Sequence, residues 1–119
     1  MTVTGIDHVQ VAAPAGCEDE ARAFYGALLG LEELPKPEAL RPNGGCWFRA
    51  GAQELHVGVE EPFAPARKAH PGLVVTDLDA FAERLAAAGI EVAWDESIPG
   101  TKRFHAADPF GNRLEFRAA

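Results

Sequence analysis

The residues of this chain best suited to chemistry are three histidines and one glutamate, namely His8, His56, His70 and Glu115. Imidazole nitrogens and carboxylate oxygens are common ligands of divalent transition metals in proteins. Four such ligands in an octahedral shell leave two positions for water or substrate, as in a catalytic rather than a closed site. Because three of the donors are nitrogens, Zn, Ni, Fe(II), Mn or Co suit this set better than Mg or Ca.

Glu115 lies in the segment Asp108–Phe116, which begins with the composition of a tight turn. Pro109 presets one backbone angle, and Gly111 and Asn112 tolerate positive φ. The residues that follow alternate between polar and apolar, as in a strand with one buried face. On this pattern Glu115 points into whatever the sheet encloses, where a carboxylate needs a cation or a hydrogen-bond donor.

The first half of the chain predicts four strands and one amphipathic helix. Apolar residues recur at helical spacing within Ala21–Leu29, behind three acidic residues, and Gly30 is the expected end of that helix. In the first strand, alternation places Asp7 on the face opposite His8. Pro35–Gly45, rich in proline and glycine, predicts a loop or irregular edge. The predicted strands are Ile6–Ala12, Leu31–Leu34, Cys46–Arg49 and Glu54–Val59, the last two forming a hairpin.

The second half repeats this order of elements after a connector at Glu60–Ala69. Asp77 is the expected N-cap of a helix that ends at Gly89. Strand, helix and three strands therefore occur twice within a single domain of residues 1–119, in repeats of about 1–60 and 69–119. The predicted strands are Gly72–Thr76, Ile90–Trp94, Arg103–Ala107 and the one that holds Glu115.

The spacing of the repeats pairs the four candidate ligands. His56 and Glu115 each follow the glycine that ends the preceding helix by 26 residues, which gives an offset of 59 between the halves. Aligning the leading strands gives an offset of 62, which superposes His8 on His70. Two half-sheets related in this way would bring the four side chains to one metal ion. His105 has no equivalent under this alignment and is expected on the surface or a cavity wall, with proton transfer as the alternative role.

Composition limits the partners of the chain. Its 119 residues are 47% hydrophobic and 24% charged, as in one ordinary globular domain. The net charge is -7 and the eleven Lys and Arg residues are scattered, which argues against nucleic acid or an anionic membrane as a partner. No secretory signal or membrane span is recognisable, so the expected compartment is the cytoplasm and the expected partner a small molecule.

Four further side chains carry weaker expectations. Cys17 and Cys46 have no metal-type spacing and are expected to be reduced thiols of minor structural importance. Trp47 and Phe104 are candidates for a cavity wall, with packing in the core as the favoured interpretation for both.

The chain resembles the vicinal oxygen chelate superfamily, the group of glyoxalases, bleomycin-resistance proteins and extradiol dioxygenases, over essentially its whole length. The resemblance implies an α+β fold in which two paired βαβββ modules form a cup-shaped, eight-stranded barrel, often in a homodimer. It also implies metal ligands on the first, fourth, fifth and eighth strands, which fall on the four residues paired above. The motifs that carry the resemblance are Gly5–Val9, Ala23–Leu31, His70 ahead of Asp77–Ala80, and Asp108–Glu115.

With this ligand set, the resemblance implies a metal-dependent lyase or isomerase of the glyoxalase type, acting on a small substrate with two adjacent oxygens. The metal would stabilise the enediolate or oxyanion formed when a neighbouring proton leaves, with Glu115 as ligand or base. His56 departs from the glyoxalase I pattern, which usually has a carboxylate there. Two alternatives stay open: a metal-free protein that sequesters a drug-like ligand, as in bleomycin resistance, and an extradiol-type dioxygenase. The substrate and any thiol cofactor are undetermined.

Overall fold

The first half of the chain forms a four-stranded mixed sheet with a helix on its apolar face. The helix, α1, begins at Glu18–Ala21 and continues as a π-helical segment, Arg22–Leu28. Its wider turn is closed by a 2.8 Å hydrogen bond from the Leu29 N–H to the Phe24 carbonyl. The strands are β1 (His8–Ala13), β2 (Glu32–Leu34), β3 (Cys46–Ala50) and β4 (Gln53–Val59).

The region between β2 and β3, whose shape the sequence left open, contains a 3-10 helix at Glu38–Asn43. The glycines that follow it, Gly44 and Gly45, both have positive φ. They return the chain to the sheet at Cys46, the first residue of β3.

The second half forms a sheet of the same kind. Its helix α2 (Leu78–Ala87) begins as predicted, since the Asp77 side chain accepts a 3.1 Å hydrogen bond from the Ala80 N–H. The predicted strand at Ile90–Trp94 is placed too early, because the extended residues are Ala93–Asp95. The strands are β5 (Gly72–Val75), β6 (Ala93–Asp95), β7 (Arg103–Ala107) and β8 (Arg113–Ala118).

The two sheets have the same topology. The computed structural model describes residues 1–119, and their contacts divide them into two units, Met1–Ala64 and Pro65–Ala119. The strand order is β1-β4-β3-β2 in the first unit and β5-β8-β7-β6 in the second. In each unit the first strand pairs in parallel with the last, so that His8 begins the strand beside that of His56, and His70 lies two residues before the strand beside that of Glu115. Two four-stranded mixed sheets with few helices fit the α+β prediction; their closure into an eight-stranded barrel stays a prediction.

Each sheet buries an apolar face and leaves its other face polar. In β4, Leu55 and Val57 are buried on the helix side, and in β8 Leu114 and Phe116 are fully buried. Three candidate ligands lie within strands, namely His8, His56 and Glu115. Strand alternation places each of them on the opposite, polar face. No helix in the structure has the length and apolar character that a membrane span requires.

The weaker expectations have mixed outcomes. Cys17 and Cys46 are buried free thiols, and burial, followed by the charge of Glu18, raises the pKa of Cys17 to about 11. Phe104 packs in the core as favoured, with its ring stacked 4.9 Å from that of Phe116. Trp47 instead lies half-buried on the polar face.

Candidate functional site

In the first unit, the imidazole of His56 lies between two other rings. The indole of Trp47, its partner across β3 and β4, stacks on it with centroids 3.9 Å apart and planes 3° apart. The ring of His8 stacks on it with centroids 4.2 Å apart. These contacts leave His56 only 4% exposed. The structure thus brings together two of the four predicted ligands, His8 and His56.

Hydrogen bonds select the nitrogen that each of these histidines can offer to a cation. The Nδ1 atom of His8 lies 2.9 Å from a carboxylate oxygen of Asp7, and Nε2 of His56 lies 2.9 Å from one of Glu54. Because an ionised carboxylate only accepts, these nitrogens donate, and the opposite nitrogen of each neutral ring carries the lone pair. The expectation that Asp7 points away from His8 is wrong, since β1 begins at His8 and strand alternation does not extend to Asp7.

In the second unit, three ligand-type side chains meet on the polar face of the sheet. Nε2 of His70 lies 3.1 Å from Oε1 of Glu115, and Nε2 of His105 lies 3.7 Å from the same oxygen. The ligand atoms of all three residues lie within 4.8 Å of one another. Two ligands with bonds of about 2.0–2.2 Å to a shared ion can be at most roughly 4.4 Å apart. The cluster is therefore close to the size of a metal site, with the predicted pair His70 and Glu115 well within that limit.

The orientation of His70 is compatible with a cation bound beside Glu115. Its Nδ1 atom lies 2.8 Å from the backbone oxygen of Lys68, which can only accept, so Nδ1 carries a hydrogen. In the neutral ring, Nε2 then has a lone pair directed at the lone pairs of the Glu115 carboxylate. Two acceptors at 3.1 Å repel each other unless a proton or a metal ion lies between them.

The carboxylate of Glu115 is buried, and the positive charge of Arg103 offsets the cost of burying it. Burial acts to raise its pKa, but the hydrogen bond that His70 donates when a proton lies between the two atoms, together with the positive charge of Arg103, outweighs burial, and the pKa lies below the ordinary value. The Nη1 atom of Arg103 donates to Glu115 at 3.0 Å, and its Nη2 atom donates to Asp95 at 3.0 Å. The carboxylate is therefore ionised at neutral pH and available to a cation.

The turn before β8 fixes the position of Glu115. The buried side chain of Asp108 accepts hydrogen bonds from the backbone N–H groups of Phe110 and Asn112. The amide oxygen of Asn112 accepts from the N–H of Ala66, which ties the turn to the start of the unit. These bonds explain why the predicted Asp-Pro and Gly-Asn turn leads into a strand of defined register.

His105 is the member of the cluster that the repeat alignment missed. It pairs with Glu115 across β7 and β8, as Trp47 pairs with His56 across β3 and β4. The residue of the first unit that corresponds to His105 is therefore Trp47, which has no metal-ligating atom. Centring the hairpin on the turn residue Phe110 would have found this contact, because residues at equal distances from the centre of a symmetric hairpin face each other. No comparable signal in the sequence points to the contact between Arg103 and Glu115.

The predicted ligands thus lie in two pairs, one in each unit. His8 and His56 are in contact in the first unit, and His70 and Glu115 are in contact in the second. Binding of a single ion by all four residues stays a prediction.

Repeated βαβββ units with histidine and carboxylate side chains on their polar faces define a protein of the vicinal oxygen chelate class. The family profile of the Glyoxalase/Bleomycin resistance protein/Dioxygenase superfamily matches residues 5–116, and the chain belongs to this superfamily. The predicted family resemblance is confirmed. No protein of curated function matches the chain.

Solved structures give the same assignment. A glyoxalase family protein from Bacillus anthracis is 56% identical, with a TM-score of 0.96 over 99% of this chain and 97% of its own. Two more distant structures share the fold alone. Lactoylglutathione lyase from Agrobacterium tumefaciens is 24% identical, with a TM-score of 0.78 over 100% of this chain and 96% of its own. A fosfomycin resistance protein from Listeria monocytogenes is 15% identical, with a TM-score of 0.78 over 99% of this chain and 95% of its own.

Proposed function

We propose that this protein is a divalent-metal-dependent enzyme of the glyoxalase type, whose metal ligands are His8, His56, His70 and Glu115. The observation that carries the proposal is the contact between His70 and Glu115, whose Nε2 and Oε1 atoms lie 3.1 Å apart, a separation that either a proton or a metal ion can bridge. A divalent transition metal suits that gap because it accepts both lone pairs at once. The lone-pair nitrogens that the hydrogen bonds define on His8 and His56 support their inclusion.

The substrate class we propose is a small molecule with two adjacent oxygens. A bound divalent cation supplies a Lewis acid for such a molecule. Glu115 would act as the base when its carboxylate leaves the cation: it would take a proton from the carbon next to a substrate carbonyl and return it in a lyase or isomerase reaction. Arg103 donates to the same carboxylate and holds its position, while Asp95 holds Arg103 from the other side. The lactoylglutathione lyase that shares this fold is consistent with this reaction class.

The proposed quaternary arrangement follows from the need for four ligands. We propose that the two modules contribute to a cup-shaped, eight-stranded barrel, formed within one chain or by exchange between two chains of a homodimer. In either case each ion receives one pair of ligands from a first unit and one pair from a second unit. Size-exclusion chromatography with light scattering determines whether the protein is dimeric.

Elemental analysis tests the proposal. Protein purified without chelators and without a histidine tag should contain about one equivalent of Zn, Ni, Fe, Mn or Co per chain. The His56→Ala variant should lose this metal, and the His105→Ala variant, which removes an imidazole outside the proposed set, should retain it. Circular dichroism verifies that both variants fold.

The outcomes separate the alternatives. Metal-free wild-type protein that does not take up any of these ions would overturn the proposal and favour a ligand-sequestering protein. Loss of metal from His105→Ala with retention in His56→Ala would reassign the site to the second unit alone. With metal bound, α-ketoaldehydes, thiol adducts, catechols and 2-acyl thioesters are the substrates to test. Oxygen consumption with a catechol would indicate the dioxygenase reaction instead.

A further inference from the structure

A cleft of about 320 Å³ lies beside the cluster of His70, His105 and Glu115 in the second unit. His105 belongs to both, since it lines the cleft and lies 3.7 Å from the Glu115 carboxylate. The cleft is therefore next to the atoms at which we propose that the reaction occurs.

Two arginines, Arg67 and Arg113, line this cleft, and neither forms an ion pair with a carboxylate. This is notable in a chain with 18 acidic and 11 basic side chains. Glu91 is the single acidic residue in the lining, so two guanidinium groups and one carboxylate leave a net positive charge. A concave surface with this charge favours an anion.

The hydrogen bonding of Arg113 leaves donors for a ligand. Its Nη2 atom lies 3.3 Å from Nε2 of His105, and because a guanidinium only donates, the imidazole is the acceptor. A guanidinium has five N–H donors in a planar fork, so this contact leaves other donors able to hold a carboxylate or phosphonate through two parallel bonds. The same contact holds the guanidinium at the side of the cleft nearest to the cluster.

We propose that Arg67 and Arg113 form an oxyanion-binding subsite, so that the substrate carries a carboxylate or phosphonate group close to its two adjacent oxygens. The location of this subsite relative to the reacting atoms rests on the proposed function. Binding of the anion itself does not, because neither arginine is a proposed metal ligand. In this arrangement Arg67 and Arg113 determine substrate specificity and the orientation of the substrate.

The experiment measures anion binding by metal-free protein, prepared with a chelator that is then removed. Acetate and methylphosphonate are titrated separately into the full-length chain at constant ionic strength, and binding is followed by the NMR signals of the arginine Nε–H groups. Wild-type protein should show saturable shifts of the Arg113 and Arg67 signals, and the probe that binds more tightly identifies the preferred anion. Arg113→Gln and Arg67→Gln should each weaken binding about tenfold.

Lys68→Gln is the matched control, because it removes the same charge one residue from Arg67 at a side chain outside the cleft lining. It should retain wild-type affinity. Equal weakening by all three variants, or the absence of saturable binding to wild type, would overturn the subsite. If Arg113→Gln fails to fold, Arg67→Gln alone decides between these results. Metal content, measured separately, reports on the proposed function, so the two proposals can fail independently.

Discussion

His105 lies directly opposite Glu115 in the antiparallel pair of β7 and β8, with its Nε2 atom 3.7 Å from Oε1 of the carboxylate. The equivalent pair in the first unit is Trp47 and His56, in which an indole stacks on the imidazole. The two sheets have the same topology, but the side chains next to their candidate ligands are of different types. The first unit covers its ligand with an aromatic ring, and the second surrounds it with groups that carry charge or hydrogen bonds.

Metal should stabilise the protein through Glu115. A ligand present at about 100 times its Kd stabilises the folded state by about 2.7 kcal/mol, which corresponds to a rise of roughly 10 °C in Tm for a domain of this size. Adding the resident metal to chelator-treated wild-type protein should produce this rise in Tm. In the Glu115→Gln variant, the same addition should produce only a small part of the rise. Glu20→Gln, an exposed acid on α1, serves as the control and should behave as wild type. Calorimetry measures the shift, and an equal shift in all three proteins would contradict the assignment.

Replacing Arg103 should destabilise the second unit. Arg103→Gln leaves the buried carboxylate of Glu115 without its closest cation, at an expected cost of about 1–3 kcal/mol in the free energy of unfolding. The cost should lie near the lower end of this range, because the substitution also removes the Nε atom of Arg103, which is buried without a hydrogen-bond partner and therefore destabilises the wild-type protein. Arg49→Gln, which removes an exposed arginine 4.0 Å from Glu54, should cost under about 1 kcal/mol. Urea unfolding compares the two variants, and equal losses would rule out this role for Arg103.

The charge of Arg113 should be visible in the titration of His105. Burial lowers the pKa of His105 below its ordinary 6.5, and the positive charge of Arg113 is the next largest cause. NMR titration of the ring protons in metal-free protein should therefore give a midpoint below 6.5 in wild type and a higher midpoint in Arg113→Gln. A midpoint that does not move, or moves down, would show that the guanidinium has no electrostatic effect on the ring.

Glu18 should make stability depend on pH. Its carboxylate accepts a 2.6 Å hydrogen bond from the Gly45 N–H, which is the main reason that its pKa lies below the ordinary 4.5. Since the folded pKa is depressed, the stabilisation is present above the unfolded value and is lost as pH falls through the folded pKa. Glu18→Gln should thus be about 1 kcal/mol less stable at about pH 7, with the difference shrinking at about pH 3.5. Urea unfolding at several pH values measures this, and a difference that does not change with pH would contradict it.

Gly45 should be intolerant of any side chain. Its φ is +87°, and an added Cβ would lie 2.0 Å from the backbone oxygen of Val57, its neighbour across the start of the β3–β4 hairpin. Gly45→Ala should cost roughly 3 kcal/mol or more through backbone strain and the displacement of β4. Gly51→Ala is the matched control, since Gly51 also has positive φ but has no atom within 4 Å of the added Cβ. It should cost only about 1–2 kcal/mol by chemical denaturation, and equal costs would show that the close approach is unimportant.

Local signals in the sequence were sufficient for the order of the elements. The Asp77 cap, the glycines after each helix and the turn of Asp108 and Asn112 are read from a few neighbouring residues, and the structure contains all of them. Alternation within β8 also placed Glu115 correctly on the face opposite Leu114 and Phe116. These features depend on backbone preferences and side-chain periodicity, which act within one segment.

Only the tertiary structure showed what surrounds each candidate ligand. The proximity of His105 and Arg103 to Glu115 depends on the register between β7 and β8, and the contact of Asp7 with His8 depends on where β1 begins. Periodicity assigns a side chain to a face of its own strand, but its neighbours come from other strands and are selected by pairing and turn geometry. The sequence alone thus identified which residues could bind a cation, and the fold decided which charges and hydrogen bonds each of them has beside it.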